Sequence, residues 1–400
     1  MRQFIKSFLK KCWWGVPIIF VIIMVVTFPK KMIYSIFEYA PLQMREAFSL
    51  FKEHKTIKIG VPGPWDLIRT NTLFEEGLDL ALEEINDGGG IKGLKVELVK
   101  DNDSNTVTGA LDLAQKYALD KDYVAVIGHW NSYCTLPAAQ IYNQNGVIMV
   151  SPISTLPELT EKGYNMVFRN TQNDAKTVNK LIQLANEKGW KNIAVLYGDS
   201  ETNSKMATLF EKAGEANGIN IIDRNKLFYD EESYLSAYHK WQYMKLDAIF
   251  IADVMTNCKD QMTWIRKTSK DIPVLAGDGF DYDTFIKFMG EYGENTYIAT
   301  FYNPNDDNKK FLEFSSKFET KYSKTPDLYA LLAYESLKLL EKSIDEANSL
   351  SPSKISNTLI HLKDFEGANG EIAFDKKGEL SSDYVFIKKV LNSKFVYESK

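Results

Sequence analysis

Residues 123–155, YVAVIGHWNSYCTLPAAQIYNQNGVIMVSPIST, combine two short apolar runs with a helical pattern between them. The runs at 123–128 and 146–151 are typical of buried strands, and residues 136–144 are typical of a helix. Strands that alternate with helices predict a parallel sheet with right-handed crossovers. A polar segment follows each run, at the end of the strands where open α/β sheets bind ligands. This stretch therefore predicts both the class of fold and the place of a site.

The same alternation continues along most of the chain from Lys55 onward. Further strands are predicted at 57–61, 95–101, 192–198, 247–253 and 273–278. Further helices are predicted at 72–87, 107–119, 175–188, 203–217, 257–268 and 281–289. Because this is about twice what one doubly wound sheet uses, we expect two α/β lobes. The end of the chain differs, since helices over 308–362 precede FEGANGEIAFDKKGEL at 365–380, which predicts turns and a hairpin.

Composition and charge exclude several classes of protein. The 400-residue chain is 44% hydrophobic and 25% charged, which suits a large buried core and excludes extensive disorder. The net charge is −5, with acidic and basic residues interspersed along the chain. No sustained basic surface is predicted, so nucleic acid is not an expected partner.

Motifs for catalysis and metal binding are largely absent. The four histidines are scattered, without an HExxH motif or a carboxylate at metal-ligand spacing. GGGIKG at 88–93 matches a dinucleotide-binding pattern in its letters, but it follows a predicted helix and precedes a strand, whereas a phosphate cradle needs the reverse order. We interpret it as a helix stop and turn. Gly198-Asp199-Ser200 lacks the second glycine of a nucleophile elbow, so we expect neither an enzyme nor a cofactor.

The N-terminus carries an uncharged apolar run, Trp13–Phe28, with basic residues on both sides. A membrane-spanning helix needs roughly 20 residues, with about 17 as the lower limit, which residues 12–28 just reach. The alternative is the core of a signal peptide, but the following stretch has no good A-x-A site, since Ala40 precedes Pro41. We therefore predict an uncleaved transmembrane helix at about residues 12–28, within an anchor and linker segment at 1–54.

The two polar segments after the strands at 123–128 and 146–151 contain Ser132 and Thr155. A helix that starts just after Ser132 would direct free N–H groups and a positive dipole end at an anion. The two hydroxyls and this helix end would then hold a carboxylate. The equally weighted alternative is that both residues are only helix N-caps, the commonest role of Ser and Thr at such positions.

Three further side chains follow predicted strand ends. Asp278 lies between two glycines in LAGDGF and would offer one carboxylate to a ligand ammonium group, although Asp beside Gly is more often a turn residue. Trp65 and Trp130 either pack against a ligand or fill the core of a lobe.

From about Lys55 to its end, the chain resembles the periplasmic leucine/isoleucine/valine-binding protein family, the type I binding proteins of ABC importers. The resemblance rests on EGLDLALEEINDGGGIKG at 76–93, on residues 126–174 from VIGHW to TQND, and on EGANGEIAFDKKGEL at 366–380. It implies two Rossmann-like lobes joined by three crossovers, with the ligand in the cleft between them. The implied lobes comprise residues 55–173 with 302–366, and residues 174–301 with 367–400.

The resemblance also assigns roles to individual residues. The carboxylate-binding serine falls on Ser132, the neighbouring alanine and threonine contacts fall on Ile153 and Thr155, and the acidic residue that binds the ammonium group falls on Asp278. The predicted ligand set is Trp65, Trp130, Asn131, Ser132, Ile153, Ser154, Thr155, Val254 and Asp278.

This sequence departs from the family's pattern at several of these positions. Val254 replaces the tyrosine that helps to cover the ligand, and Trp130 replaces a leucine near its side chain. The loop around Trp65 carries a short insertion. The resemblance therefore implies a retained clamp for the amino-acid backbone and an unusual side-chain pocket.

The cysteines also differ from the family. Its first-lobe disulfide falls on Ser104 and Asn131, so that bridge is missing. The three cysteines of this chain lie far apart, and only a bridge between Cys134 and Cys258 is conceivable. We predict that both are free, because a bridge between the lobes would lock a cleft that must open.

These features predict a binding protein for an amino-acid-like small molecule, on the periplasmic or extracellular face of a membrane. The expected partner is the permease of an ABC importer, which the resemblance implies. Two alternatives stay open: a ligand-sensing subunit for a membrane signalling partner, and a structural or regulatory protein with a degenerate cleft.

The anchor interpretation makes a direct prediction about the mature protein. Protein isolated from membranes should retain Trp13 and Trp14 and should resist extraction by salt or alkali, because an apolar helix is held by the hydrocarbon core. Mass spectrometry of the N-terminus, with extraction assays, checks this. Recovery of a soluble form that begins near residue 40 would contradict it.

Overall fold

The computed structural model describes residues 41–51, 56–303, 308–363, 365–367 and 370–398. The strands are β1 Thr56–Gly63, β2 Lys95–Asn102, β3 Tyr123–Ile127, β4 Ile148–Ser151, β5 Val167–Arg169, β6 Asn192–Tyr197, β7 Asn220–Lys226, β8 Ala248–Ala252, β9 Val274–Ala276, β10 Thr296–Thr300, β11 Glu366–Gly367, β12 Gly370–Glu371, β13 Phe386–Leu391 and β14 Lys394–Tyr397. The helices are α1 Pro41–Phe51, α2 Trp65–Asn71, α3 Phe74–Asp87, α4 Val107–Leu119, α5 Ser132–Asn145, α6 Glu158–Glu161, α7 Asp174–Lys188, α8 Glu201–Ala216, α9 Glu231–Tyr243, α10 Lys259–Thr268, α11 Phe285–Met289, α12 Lys309–Tyr322, α13 Leu328–Ala347 and α14 Pro352–Ile360.

The first sheet has five parallel strands in the order β2-β1-β3-β4-β5. Every residue of β3 and β4 is buried, as expected for strands covered by helices on both faces. The strand order reverses beside β1, and a crevice for ligands opens at the carboxyl ends of the strands at such a point. The loops after β1, β3 and β4 therefore meet at this edge.

The second sheet repeats this order as β7-β6-β8-β9-β10 in parallel and then adds two antiparallel strands. Strand β13 pairs antiparallel with β10, and β14 pairs antiparallel with β13. The sequence patterns did not predict β5, β7, β10 or the β13–β14 hairpin. The antiparallel hairpin makes the second sheet mixed. The small β11–β12 pair lies within the stretch where a hairpin was predicted.

The C-terminal helices return to the first sheet. Helix α13 packs so closely on α3 that a Cβ atom at Gly77 would lie 2.1 Å from the carbonyl oxygen of Ala330. Ion pairs also join α12 to α3, including Lys317 with Glu84 at 2.7 Å, and Lys324 beyond the end of α12 pairs with Glu76 at 2.8 Å. Residues far apart in sequence thus build one layer over the first sheet.

The glycine run at 88–93 ends α3 and leads into β2, so its interpretation as a helix stop and turn is confirmed. Gly90 has φ +76°, and a Cβ there would lie 2.1 Å from the carbonyl oxygen of Leu94. Only glycine satisfies both the positive φ and this close approach.

Helix α5 begins at Ser132, four residues before the predicted start at Leu136. Pro137 favoured the later start, because proline is typical of the first turn of a helix. The earlier start places Ser132 itself in the first turn.

Among the described residues, none of the helices is both long and apolar enough to cross a membrane. The predicted membrane helix at residues 12–28 lies outside them.

Helix α1 occupies part of the segment that was assigned to the linker. Its Arg45 is 4% exposed and inserts among the ends of three elements of the first lobe. The guanidinium donates to the carbonyl oxygens of Tyr117 at 3.0 Å, Ala118 at 2.9 Å and Asn145 at 3.0 Å, and also to that of Tyr123. These carbonyls lie at the C-termini of α4 and α5 and at the start of β3, where helices leave acceptors unpaired.

Glu46, which follows Arg45, attaches α1 to the start of α14. Glu46 accepts hydrogen bonds from the Ser351 hydroxyl and, at 2.6 Å, from the Ser353 N–H at the start of α14. A carboxylate suits a helix N-terminus as a cation suits a C-terminus. Burial lowers the pKa of Arg45 to about 10, which leaves it charged at neutral pH.

Replacing Arg45 with Met should lower the free energy of unfolding by about 1–3 kcal/mol, since buried carbonyls lose their donors while the side-chain length is kept. Urea denaturation followed by circular dichroism measures this. Gln43→Met, an exposed position of the same helix, is the control and should leave the midpoint unchanged. Equal midpoints for both variants would show that α1 contributes nothing to the lobe.

Candidate functional site

The loops after β3 and β4 lie side by side at the crevice. The hydroxyl of Ser154, which is 1% exposed, donates to the carbonyl oxygen of Trp130 at 3.1 Å. Its oxygen also contacts the hydroxyl of Thr135 in α5. The polar segments that the sequence singled out are therefore bonded to each other.

Ser132 lies in the first turn of α5, and Asn131 is the residue that precedes the helix. The N–H of Leu156 donates to the Ser132 hydroxyl oxygen at 3.4 Å, which leaves that hydroxyl's proton for another acceptor. The first N–H groups of a helix have no partner within it, and its dipole favours an anion there. This corner can donate several hydrogen bonds to a carboxylate.

Thr155 is bonded to the first turn of α7. Its carbonyl oxygen accepts the N–H of Asp174 at 2.9 Å, and its side chain acts to lower the pKa of the Asp174 carboxyl group. Asp174 is 4% exposed, and burial raises the pKa of its carboxyl group. Sequence reasoning missed Asp174, because an acidic residue in the first turn of a helix is usual without any ligand.

Asp278 opens a short 3₁₀ turn after β9. Burial, then the charge of Asp174, then that of Asp281 raise the pKa of Asp278 to about 7. Asp174 therefore lies close to both Thr155 and Asp278, and it links the predicted site residues of the two lobes.

The glycines beside Asp278 permit close packing of its loop. A Cβ at Gly279 would lie 2.6 Å from the carbonyl oxygen of Asp253 and 3.3 Å from the Cα atom of Val254. Val254 is 36% exposed and borders this loop. The structure thus brings Val254 and Asp278 together.

A buried arginine supports the loop that carries Ser154 and Thr155. Arg169 forms an ion pair with Glu379 and donates to the carbonyl oxygens of Ser154 at 3.3 Å and Leu156 at 2.6 Å. Arg169 is fully buried, so its charge is neutralised and its donors are used within the protein. The carbonyls on both sides of Thr155 are held by one guanidinium.

Three aromatic rings form a stacked series across the crevice. Trp130 stacks on Tyr329 of α13, with ring centroids 5.2 Å apart and planes at 23°. Tyr329 stacks in turn on Tyr282, which follows the Asp278 turn, at 5.3 Å and 28°. Tyr282 and Tyr329 were absent from the predicted set, because their approach depends on packing between distant segments.

The remaining predicted residues lie at different depths. Ile153 is half-buried and packs against the core of the first lobe. Trp65 is 3% exposed, and its indole N–H donates to the carbonyl oxygen of Val61 at 3.0 Å. Phe74 lies between the rings of Trp65 and Trp130, so Trp65 occupies the core behind the crevice.

Hydrogen bonds join the two loops onto which the family's disulfide falls. The Asn131 side chain donates to the Asn105 side-chain oxygen at 2.5 Å. Nearby, the buried His129 ring bonds the Asp103 carboxylate through Nδ1 at 2.9 Å and the Tyr142 hydroxyl through Nε2 at 2.9 Å. Burial lowers the pKa of His129, so its neutral form donates to Asp103 and accepts from Tyr142.

Cys134 and Cys258 are both free and buried, as predicted. Burial raises the pKa of Cys134 to about 12, which keeps the thiol protonated and unreactive.

The described arrangement separates two kinds of polar group. Ser132 and the start of α5 present donors, whereas Asp174 and Asp278 present carboxylates. Donors and acidic acceptors thus come from different parts of the crevice.

Comparison with known proteins agrees with the fold. A family model described as periplasmic binding protein matches residues 57–392. The leucine-, isoleucine-, valine-, threonine-, and alanine-binding protein of Pseudomonas aeruginosa is 26% identical over 332 residues, covering 82% of this chain and 88% of that protein.

Solved structures agree as well. An ABC transporter substrate-binding protein from Desulfitobacterium hafniense, in complex with Leu, is 33% identical with a TM-score of 0.79, covering 86% of this chain and 100% of that one. A leucine binding protein from Thermotoga maritima is 25% identical with a TM-score of 0.76, covering 86% and 98%. The resemblance seen in the sequence is confirmed: the chain belongs to the periplasmic binding protein family and has its type I α/β fold.

Proposed function

We propose that this protein is the solute-binding component of an ABC-type importer and binds an α-amino acid between its lobes. The observation that carries the proposal is the separation of the polar groups at the crevice. Hydrogen-bond donors surround Ser132 on the first lobe, and the carboxylate of Asp278 lies on the second. The zwitterion of an amino acid presents the complementary pair of charges.

In this proposal the ligand carboxylate is bound by the Ser132 hydroxyl and the N–H groups that begin α5. The ligand ammonium group is bound by Asp278. Burial and the neighbouring acids raise the pKa of Asp278 to about 7. A cation bound beside it stabilises the ionised form of its carboxyl group. Ligand binding therefore relieves an electrostatic cost that the protein carries by itself.

The proposed two-lobe division comes from the resemblance to the family. We propose lobes of residues 55–173 with 302–366, and of 174–301 with 367–400, as the resemblance implies. A ligand that touches Ser132 and Asp278 bonds both lobes, so it favours the closed arrangement over the open one. Asp278 then couples recognition of the ammonium group to closure.

Relatives support an amino-acid ligand without specifying which one. The D. hafniense protein is described in complex with Leu, and the P. aeruginosa protein is described as binding leucine, isoleucine, valine, threonine and alanine. By the resemblance, Trp130 and Val254 fall on positions near the ligand side chain. We propose that this protein binds the carboxylate and ammonium groups of its ligand as its relatives do, but accepts a different ligand side chain.

The proposed location is the outer face of a membrane. Family membership supports a periplasmic or extracellular position. The apolar run at 12–28 supports attachment through an N-terminal helix, with a permease as the membrane partner.

A thermal-shift screen tests the proposed function. The full chain in detergent is heated with each of the twenty amino acids and with amino-acid amides, which lack the carboxylate. A ligand that binds only the native state raises the midpoint by an amount set by its concentration and affinity. We expect one or a few amino acids to raise it and their amides not to. A protein that responds to none of them would contradict an amino-acid ligand.

Asp278→Ala should weaken binding of the ligand from that screen by about 2–5 kcal/mol, because the ammonium group loses its partner in a desolvated site. Isothermal titration calorimetry measures the change. Asp199→Ala is the control, since Asp199 follows β6 in the same lobe but is exposed and paired with Lys226. Unchanged affinity in Asp278→Ala would exclude it as the ammonium site.

Affinity should also depend on pH near neutrality. The proton on Asp278 must leave before the carboxylate can pair with an ammonium group, so binding is strongest above a pH of about 7 and weakens below it. The charges acting on Asp278 are those of Asp174 and Asp281, and Lys388 is paired with Asp281. Titrations between about pH 5.5 and 8.5 should show a loss of up to about tenfold per unit below that value, since one pKa unit corresponds to a factor of ten. A flat profile, equal to that of Asp278→Asn, would contradict the assignment.

A further inference from the structure

Helix α5 begins at the crevice, but the residue before it does not cap it. Asn131 has backbone angles φ −83° and ψ 140°, which are typical of a residue that caps a helix. Its side chain nevertheless makes no hydrogen bond to the first turn. Asparagine is among the residues preferred at this position, because its side-chain oxygen can accept one of the free N–H groups. Asn131 therefore has the residue type and the backbone of a cap without acting as one.

Other helices of similar length in the described part of the chain are capped in the usual way. Among those of eight or more residues, six follow a residue whose side chain accepts an N–H group of the first turn: Thr106, Asn173, Ser200, Asp230, Asn308 and Asp327. Asn173 shows that asparagine caps a helix in this protein. The missing cap of α5 therefore has a local cause.

Asn105, in the loop between β2 and α4, is that cause. The Asn131 side-chain nitrogen donates to the Asn105 side-chain oxygen at 2.5 Å. The Tyr133 hydroxyl, from the first turn of α5, donates to the Asn105 carbonyl oxygen at 3.2 Å. The Asn131 side chain is thus bonded to this loop, and the N–H groups of Ser132 and Tyr133, which have no partner within the helix, lack a side-chain cap.

Buried groups hold Asn105 in place. Its N–H donates to the Asp103 carboxylate at 2.9 Å, and Asp103, which is 1% exposed, also bonds the buried His129 ring at 2.9 Å. Asn105 has φ +56°, in the left-handed region that asparagine tolerates better than most residues. Its side-chain oxygen is therefore presented to Asn131 from a fixed backbone.

Helix α14 provides an example of what such a helix start binds. Ser351 precedes α14, and its side chain does not cap the first turn either. The Glu46 carboxylate lies there instead, and it accepts hydrogen bonds from the Ser351 hydroxyl and, at 2.6 Å, from the Ser353 N–H. One hydroxyl and one N–H group thus hold a carboxylate at α14. Ser132 and the start of α5 offer the same two types of donor.

We propose that Asn105 is a positioning residue, which prevents Asn131 from capping α5 and so keeps the first N–H groups of this helix free for the ligand carboxylate. The inference rests on the proposed function and adds a competitor that lies within the protein itself. A capping side chain and a bound anion accept from the same N–H groups, so each weakens the binding of the other. Asn105 therefore contributes to ligand affinity through Asn131, without contacting the ligand.

A second substitution that reverses the effect of the first tests this inference. Asn105→Ala removes the acceptor, so the Asn131 side chain is released and should cap α5. Affinity for the amino acid with the largest thermal shift should fall by about fivefold, which corresponds to a typical N-cap hydrogen bond. Removing the competitor too, in Asn105→Ala/Asn131→Ala, should restore the affinity to within about twofold of the parent. Calorimetry on the full chain in detergent measures each variant.

A purely structural role for Asn105 would give a different pattern. The double variant would then bind no better than Asn105→Ala, because a second loss of support cannot repair the first. Hydrogen–deuterium exchange of the ligand-free protein gives a second readout. Exchange at the start of α5 should slow in Asn105→Ala, since a new cap protects the N–H groups, and should return to the parent rate in the double variant. The thermal midpoint without ligand separates loss of folding from loss of binding.

Asn192→Ala is the matched control. The Asn192 side-chain oxygen accepts from the Asn220 side-chain nitrogen at 3.0 Å, so this substitution also removes the acceptor of a bonded pair of asparagines. The two residues begin β6 and β7, at the end of the second sheet away from the carboxyl ends of its parallel strands. This variant should bind the amino acid as tightly as the parent.

The outcomes separate the two proposals. If the parent binds an amino acid and Asn105→Ala binds it as tightly, or if Asn131→Ala fails to restore the lost affinity, the role of Asn105 is wrong and the proposed function stands. If Asn131→Ala alone weakens binding by about tenfold or more, Asn131 itself contacts the ligand and the inference is again wrong. A parent that binds no amino acid contradicts the proposed function, and unchanged exchange at α5 in Asn105→Ala separately contradicts the role of Asn105.

Discussion

The crevice depends on one ion pair, between the fully buried Arg169 and the half-buried Glu379. Arg169 ends β5 of the first sheet, and Glu379 comes from the segment that leads to β13 of the second. The same guanidinium holds the carbonyls on both sides of Thr155. Removing Glu379 would leave the charge of Arg169 buried and unmatched, which is far more costly than losing an exposed pair. The position of Thr155, and through it that of Asp174, follows from this pair.

The electrostatic design of the site is asymmetric. On the first lobe, the Arg169 guanidinium is bonded within the protein. The N–H groups at the start of α5 are the donors that face the crevice. Where the lobes meet, two carboxylates are left with few donors. In the proposed function, a zwitterion bound here would place its carboxylate at the helix N-terminus and its ammonium group at the carboxylates, which favours binding at both ends.

Local patterns predicted much of this fold, because they depend on neighbours in sequence. The strands β1, β3, β4, β6 and β8 are short apolar runs between helices, and the glycine turn before β2 has its own backbone signature. Strand β5 is only three residues long, and β13 and β14, at one end of the sheet, have no regular alternation of polar and apolar residues. Their pairing arises from tertiary contacts, which a local pattern does not report.

In the candidate site too, local patterns indicated some residues and missed those that depend on tertiary contacts. Ser132, Thr155 and Asp278 follow strand ends, so the topology of parallel sheets is enough to indicate them. Asp174, Tyr282 and Tyr329 were missed, because a first-turn acid and two core tyrosines gain meaning only when distant segments meet. Helix α1 was missed for a different reason, since its helical pattern stands next to an apolar run that dominates the composition of that region.

Helix α1 also determines how the lobe responds to a pull on the chain that precedes it. Strand β1 lies in the middle of the first sheet, between β2 and β3. If tension entered directly at β1, it would shear the hydrogen bonds of the central strand, on which the whole sheet relies. With Arg45 bonded to the ends of α4 and α5, and Glu46 bonded to the start of α14, tension applied before residue 41 passes first into three helices at the rear of the lobe. The crevice lies at the opposite edge of the sheet, so such tension would not load it directly.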